Sequence, residues 1–261
     1  MLLDILIYRF SVKKSLLKKC SIILFSIALT SCQLNGKSGI SFASENPRII
    51  SPEDYLVDFS KGETGNFYAA DRYSNGLPFN CIWSRNAVKV ENGLLNLKLY
   101  EENDKIYGAE YRSRVAYHYG YYATKMKPAD CSGVISSFFT YTNNPVWDEI
   151  DIEFLGKNMN QVQFNYFTNG VGGHEYIYNL KFDASKEFHE YGFEWLEDSI
   201  TWFVDGVKVY MVTQDIPSHP QNIMMNLWNC VGRDSWSGDF EKDRSKLPVY
   251  SQYQYLVYIP A

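Results

Sequence analysis

The chain has 261 residues, 46% hydrophobic and 16% aromatic, which is ample for a large core and too apolar for a disordered chain. Formal net charge is −5, but Arg9, Lys13, Lys14, Lys18 and Lys19 against Asp4 give residues 1–31 a net +4 and leave −9 on the remainder. A body that acidic argues against a nucleic-acid or anionic-membrane binder and points to a neutral or cationic partner.

The N-terminus reads as an export signal. "VKKSLLKK" supplies the positive region, and "CSIILFSIALT" (Cys20–Thr30) is apolar but too short to span a bilayer comfortably. It ends in "LTSC", which resembles the lipobox of bacterial lipoproteins and puts Cys32 at the lipidated position. Cleavage a little later, after "SFA", is the alternative, and the leading "MLLDILIYRF" fits neither reading. Residues 1–31 are read as signal, 32–50, rich in Ser, Gly and Asn, as a tether, and 51–261 as one domain without internal repeats. The expected product is exported: secreted, or held at the cell surface with membrane contact only through lipid on Cys32.

Five cysteines occur, and Cys81, Cys131 and Cys230 fall in the body, so at most one intramolecular disulfide is expected. No CxxC or Cys/His cluster is present, and His118, His174, His189 and His219 are scattered, so no zinc site is expected.

From Leu94 onward, short runs alternate apolar and polar residues between turn signals. "LLNLKLY" (94–100), "YGYYATKMK" (119–127), "VISSFFTYT" (134–142), "DEIDIEF" (148–154) and "QVQFNYF" (161–167) read as strands. "YGFEWLEDSITWFVDGVKVYMV" holds two or three more, with Asp205-Gly206 placed for a type I′ hairpin turn. "NIMMNLWN" (222–229) and "YSQYQYLVYI" (250–259) complete the set. No stretch of a dozen residues keeps a 3.6-residue period. Many short strands at regular spacing predict an all-β, antiparallel sandwich or barrel.

"WDEIDIEFLG" (147–156) carries four acids. On a strand, Glu149, Asp151 and Glu153 share one face and Ile150, Ile152 and Phe154 the other. Three like charges on one face repel, so the arrangement costs stability unless it has a use. A retaining glycosidase needs carboxyl groups roughly 5–5.5 Å apart, whereas residues four apart on a flat strand are separated by about 13 Å. A concave strand and the length of Glu would close much of that gap. The other reading is a solvent-facing acidic strand, and spacing alone leaves both open.

The segment resembles the signature of glycoside hydrolase family 16, in the order Glu, apolar, Asp, apolar, Glu. "SSFFTYT", "WDEIDIEFLGK", "VQFNYFTNGVGGHEY", "FDASKEFHEYGFEW", "VDGVKVY", "IMMNLW", "RYSNGLPFNCIW" and "EYRS" resemble its bacterial endo-β-1,3-1,4-glucanase (licheninase) branch over roughly residues 55–260. Other branches often insert a residue before the last Glu, and "EIDIE" has no insertion. The resemblance implies a β-jelly roll of two curved antiparallel sheets (concanavalin A-like) with a concave substrate cleft. It implies Glu149 as nucleophile, Glu153 as general acid/base and Asp151 as the assisting residue. It further implies a substrate-lining set of Tyr73, Asn75, Phe79, Glu110, Arg112, Phe139, Tyr141, Trp147, Gln163, Asn165, Glu175, Asn226 and Trp228. The implied partner is a β-glucan polysaccharide bound by a monomer that requires no cofactor. A non-catalytic glucan-binding module would lack at least one acid, and a transglycosylase would differ only in acceptor.

Against the relatives' pattern, Phe167 replaces a Tyr, and the loop between Tyr141 and Trp147 is shorter. Cys81 matches a relative's disulfide cysteine, but the partner position is Gly108, so that bridge cannot form. A Cys131–Cys230 pair is conceivable. A structural calcium implied by the resemblance uses an acidic side chain where this chain has Gln254. His174, in "GGHEY", is expected to be structural or at the cleft rim, not catalytic.

Overall fold

The computed structural model describes residues 46–142 and 146–261. Cys32, the signal and most of the tether lie outside the described residues. The last tether residues do not hang free: Arg48 pairs with Glu194 (2.7 Å), lies 4.2 Å over the Tyr121 ring and donates its N–H to the Gly206 carbonyl.

The chain folds as a β-jelly roll whose strands are, in order, β1 (Tyr55–Asp58), β2 (Phe67–Ala69), β3 (Ile82–Trp83), β4 (Val88–Glu91), β5 (Leu94–Glu102) and β6 (Lys105–Tyr117). There follow β7 (Gly120–Lys127), β8 (Val134–Thr142), β9 (Asp148–Leu155), β10 (Gln161–Phe167) and β11 (Tyr176–Asn179). The last are β12 (His189–Trp195), β13 (Ile200–Val204), β14 (Val207–Val212), β15 (Gln221–Asn229) and β16 (Val249–Pro260). Two four-residue helices, α1 (Asp234–Ser237) and α2 (Phe240–Asp243), lie between β15 and β16.

One sheet runs β11-β10-β9-β8-β15-β6 and the other β5-β16-β7-β12-β13-β14, with the β5–β6 hairpin joining them. The pairings are antiparallel except for the short β3–β6 ladder. Every strand anticipated from Leu94 onward is present, and "YGFEWLEDSITWFVDGVKVYMV" holds three. At the β13–β14 turn, Asp205 and Gly206 have φ of 48° and 74°, the two positive values a type I′ turn requires.

The core lies between the sheets. Ile150, Ile152 and Phe154 are all at 0% exposure, so the apolar face of β9 points inward as its alternation predicts. Phe154 meets Tyr191 edge-on (4.8 Å), and Phe164 stacks on Trp202 (5.6 Å), tying β9 and β10 to β12 and β13. Burying each such side chain contributes roughly 1.5–3 kcal/mol. Two hydrogen bonds cross the same layer: Trp202 Nε1 donates to the Asp151 carbonyl (3.2 Å) and Tyr253 OH to the Ser137 carbonyl (3.0 Å).

The structure adds six strands that the pattern reading did not name: β1 to β4, β6 and β11. Most are short. β6 is long, but its inward positions include Ala109 and Ser113, while Glu110 and Arg112 face the opposite way, so its alternation is weak.

Cys81, Cys131 and Cys230 are free and buried. The conceivable Cys131–Cys230 disulfide is not formed; Cys131 Sγ instead lies against the carbonyls of Ser132 (3.9 Å) and Asp243 (3.7 Å). Cys81 does face Gly108: a Cβ built there would lie 2.6 Å from its Sγ.

Candidate active site

Strand register assembles the site. Glu149, Asp151 and Glu153 of β9 lie beside Tyr141, Phe139 and Ser137 of β8, and beside Phe167, Asn165 and Gln163 of β10. Through β8, Met224 and Asn226 of β15 and then Arg112 and Glu110 of β6 continue the same face. Because directly paired residues share a face, this row is the outer surface of the sheet whose inner surface is the core. It floors a cleft of about 560 Å³, lined also by Tyr73, Asn75, Phe79, Trp147 and Trp228. It is larger than three other hollows of 220–430 Å³ on the domain, and none of those three is lined by the acids.

Aromatic rings rim the cleft. Trp147 is 41% exposed; one face stacks on Phe167 (4.5 Å), which leaves the other open. Phe79 stacks on Trp228 (3.8 Å), and Tyr73 is 42% exposed. Such rings suit the apolar faces of pyranose sugars. Polar groups complete the lining. Tyr73 OH and Arg112 Nη1 both donate to Glu110 Oε1, at 3.2 and 3.4 Å, and Asn75 Oδ1 accepts from Trp83 Nε1 at 3.0 Å. Burial raises the Glu110 pKa, with Arg112 and Tyr73 opposing. Among the described residues the buried atoms Arg112 Nε, Asn165 Oδ1 and Asn226 Oδ1 have no hydrogen-bond partner, which leaves hydrogen-bonding capacity spare at the cleft floor.

The three acids sit in different surroundings. Burial pushes both Glu149 and Glu153 up to about 7. Glu149 accepts from Trp147 Nε1 (2.6 Å) and from Asp151, which favours its charged form. Glu153 is raised further by the charges of Glu149 and Glu175, while Gln163 Nε2 donates to it at 2.7 Å. Asp151, 4% exposed between them, is raised well above the usual carboxylate range by burial and then by its two neighbours. It is the acid that keeps a proton. One group is thus held as a hydrogen-bond donor between two that change charge near neutrality, an arrangement suited to nucleophilic and general acid–base chemistry.

The fourth acid of the stretch has a structural role. Asp148 is fully buried and accepts from the N–H groups of Asn169 (2.8 Å), Ser218 (3.0 Å) and His219 (3.1 Å), and from His219 Nδ1 (2.9 Å). Burial alone would raise its pKa; these donors outweigh burial and lower it.

Ten of the thirteen substrate-lining residues expected from the sequence line the cleft, together with Ser137 and Met224, which were not anticipated. Gln163 and Asn165, 3% and 5% exposed, are packed beside the acids, and Glu175 is exposed before β11, near enough to act on Asp151 and Glu153 through charge. The His174 ring stacks on Tyr166 (3.9 Å), and its Nδ1 meets the Tyr166 carbonyl (2.9 Å). Trp236 was also missed; its Nε1 donates to Gln163 Oε1 (3.0 Å), and nothing local in "DSWSG" signals that contact.

Gln254 sits half-buried on β16 and offers only a neutral amide oxygen. Among the described residues no group of three or more His, Cys, Asp or Glu is placed to hold a metal.

Comparison with known proteins gives these features a family. Against beta-glucanases, the chain is 53% identical to that of Paenibacillus polymyxa over 194 residues, covering 72% of this chain and 80% of the relative. It is 47% identical to that of Acetivibrio thermocellus over 213 residues, covering 79% of this chain and 62% of the relative, so it spans under two thirds of that protein's length. A solved prokaryotic beta-1,3-1,4-glucanase (lichenase) from a mouse hindgut metagenome superposes with a TM-score of 0.73 at 44% identity, covering 78% of this chain and 97% of the other. Residues 75–246 match the family profile named Glycosyl hydrolases family 16. With well over half of its length matched and all three acids on one cleft floor, this chain belongs to glycosyl hydrolases family 16.

Proposed function

We propose that this chain is a retaining endo-glucanase that hydrolyses β-1,4 bonds next to β-1,3 linkages in mixed-linkage β-glucan. The observation that carries the reading is the Glu149–Asp151–Glu153 face on the floor of an aromatic-rimmed cleft. The substrate class comes from the names of the relatives.

Glu149 attacks the anomeric carbon as its carboxylate while Glu153 gives its proton to the departing glycosidic oxygen. Glu153, now ionised, takes a proton from water; the water oxygen then displaces Glu149 and restores the β-anomer. The proton on Asp151 points to Glu149 and disperses its charge. Since Glu153 must be protonated for the first step and its pKa lies at about 7, kcat/KM is expected to fall on the basic side near that pH.

The test compares two variants with azide present. Glu149→Ala should give the α-glycosyl azide by direct attack, and Glu153→Ala, on a substrate with a good leaving group, the β-azide by interception of the glycosyl intermediate. Each substitution should cost wild-type hydrolysis at least the 10²–10⁴-fold typical of acid–base catalysis. The same azide anomer from both variants would overturn the roles, and faster attack on laminarin or carboxymethylcellulose than on lichenan would overturn the substrate.

Export as a lipoprotein is proposed on the "LTSC" run alone, since Cys32 lies outside the described residues. A palmitate analogue fed to expressing cells should label the protein, and label persisting in Cys32→Ala would refute the assignment.

A further inference from the structure

Gln163 is an amide whose two ends differ chemically, and the structure determines which end faces the acid. The indole N–H of Trp236 can only donate, so the atom of Gln163 that it meets at 3.0 Å must be the carbonyl oxygen. The amide N–H₂ is then committed to Glu153, 2.7 Å away. With Gln163 3% exposed, water has little access to compete for either end.

Trp236 is itself firmly held. It lies in α1, whose Trp236 and Ser237 N–H groups both donate to the Arg233 carbonyl, at 2.8 and 2.9 Å. Lys157 Nζ donates to the Ser235 carbonyl (2.8 Å), and the Gly133 N–H to the Ser237 carbonyl (3.0 Å), which ties this turn to the segments flanking β8 and β9. The ring lies 6.3 Å from Trp228 of the cleft wall and borders a 220 Å³ hollow shared with Gln163 and Leu155.

We infer that Trp236 is a positioning residue that locks the Gln163 amide with its N–H₂ toward Glu153, so that Glu153 always meets a donor. This rests on the acid/base role proposed for Glu153. Donation favours the carboxylate and so opposes the burial that raises the Glu153 pKa. Without the indole N–H the amide is free to turn its oxygen to Glu153 and accept from the carboxylic acid, which favours the protonated form. The charged and titratable groups acting on Glu153 are Glu149 and Asp151 on its own strand, Glu175 before β11 and Cys230 beyond β15. β8 presents Ser137 beside it, and β6 contributes Glu110 and Arg112 to the same cleft. The Trp236 substitution changes none of them.

The experiment is the pH profile of kcat/KM on lichenan for the wild type, Trp236→Phe, Gln163→Leu and the double variant. Trp236→Phe should move the basic limb upward by roughly one pH unit, about what one hydrogen bond to a charged group supplies, and leave the acidic limb in place. The double variant should match Gln163→Leu alone, because without the amide the indole has nothing to orient. If Trp236→Phe does not fold, substituting benzothienylalanine at position 236, which replaces the N–H by sulfur at nearly constant shape, carries the same test. An unmoved basic limb, or additive shifts in the double variant, would refute the lock. Failure of the underlying reading looks different: Glu153→Ala would then yield no β-azide, whatever the Trp236 variants do.

Discussion

At the scale of single residues, the acid face of β9 shows function set against stability. Glu153 has a folded pKa of about 7 against an ordinary 4.5, so the folded state holds its proton more tightly than the unfolded chain. The stability linked to that proton is fully present below about 4.5 and is lost as pH rises through about 7. Glu153→Gln removes the ionisation and keeps a side-chain amide of the same size. It should abolish most activity, yet raise stability at pH 8 by on the order of 2 kcal/mol. At pH 4.5 the gain should largely disappear. Thermal melts at both values check this, and an equal shift at the two would show that ionisation is not the cause. Asp148, next in sequence to Glu149, obeys the opposite sign: its lowered pKa makes it stabilising above the ordinary carboxylate range and less so in acid.

At the scale of elements, the β3–β6 contact is a staple that this chain leaves unbridged. Trp83 pairs with Gly108 in a parallel ladder of two residues, and Cys81 points at the empty side of Gly108. Backbone hydrogen bonds such as Ser84 N–H to the Gly108 carbonyl (3.0 Å) hold the pair, and Cys81 is packed there at 3% exposure with its thiol pushed by burial to about 12. Gly108→Cys should therefore form a disulfide with Cys81 in oxidising solution and contribute roughly 3 kcal/mol through the loop it closes. The new Cβ would also meet the Leu227 carbonyl oxygen at 2.8 Å, so the reduced variant should be less stable than the wild type. Urea midpoints with and without reductant separate the two effects. A midpoint in the variant that does not respond to reductant would mean no bridge forms.

At the scale of the whole molecule, stability comes from the layer between the two sheets, where Trp83, Trp195 and Trp202 are all fully buried. Gln254 on β16 offers a cation no charge, and among the described residues no group of three or more His, Cys, Asp or Glu is placed to hold a metal ion. Thermal midpoints in EDTA and in millimolar calcium should accordingly agree to within about 2 °C, because a ion that binds the folded state would raise the midpoint with its concentration. A rise of several degrees with calcium would reveal a site built from neutral oxygens.

Much of this protein follows from local rules that a sequence displays. Period-two alternation put Ile150, Ile152 and Phe154 on one face and Glu149, Asp151 and Glu153 on the other, and Asp205-Gly206 announced its turn, because side-chain direction and backbone φ are properties of adjacent residues. The strands from Leu94 onward were legible for the same reason, whereas β6, with Glu110 and Arg112 on one side and Ala109 and Ser113 on the other, was not. That the acid face of β9 floors a cleft instead of lying on open solvent was decided only when β8, β10 and β15 fell into register beside it. The division among the four acids was decided the same way. Asp148 finds its donors at Asn169, Ser218 and His219, and Gln163 finds Trp236 across 73 positions of chain. Hydrogen bonds and burial depend on distance in space, and the tertiary structure alone brings those groups together.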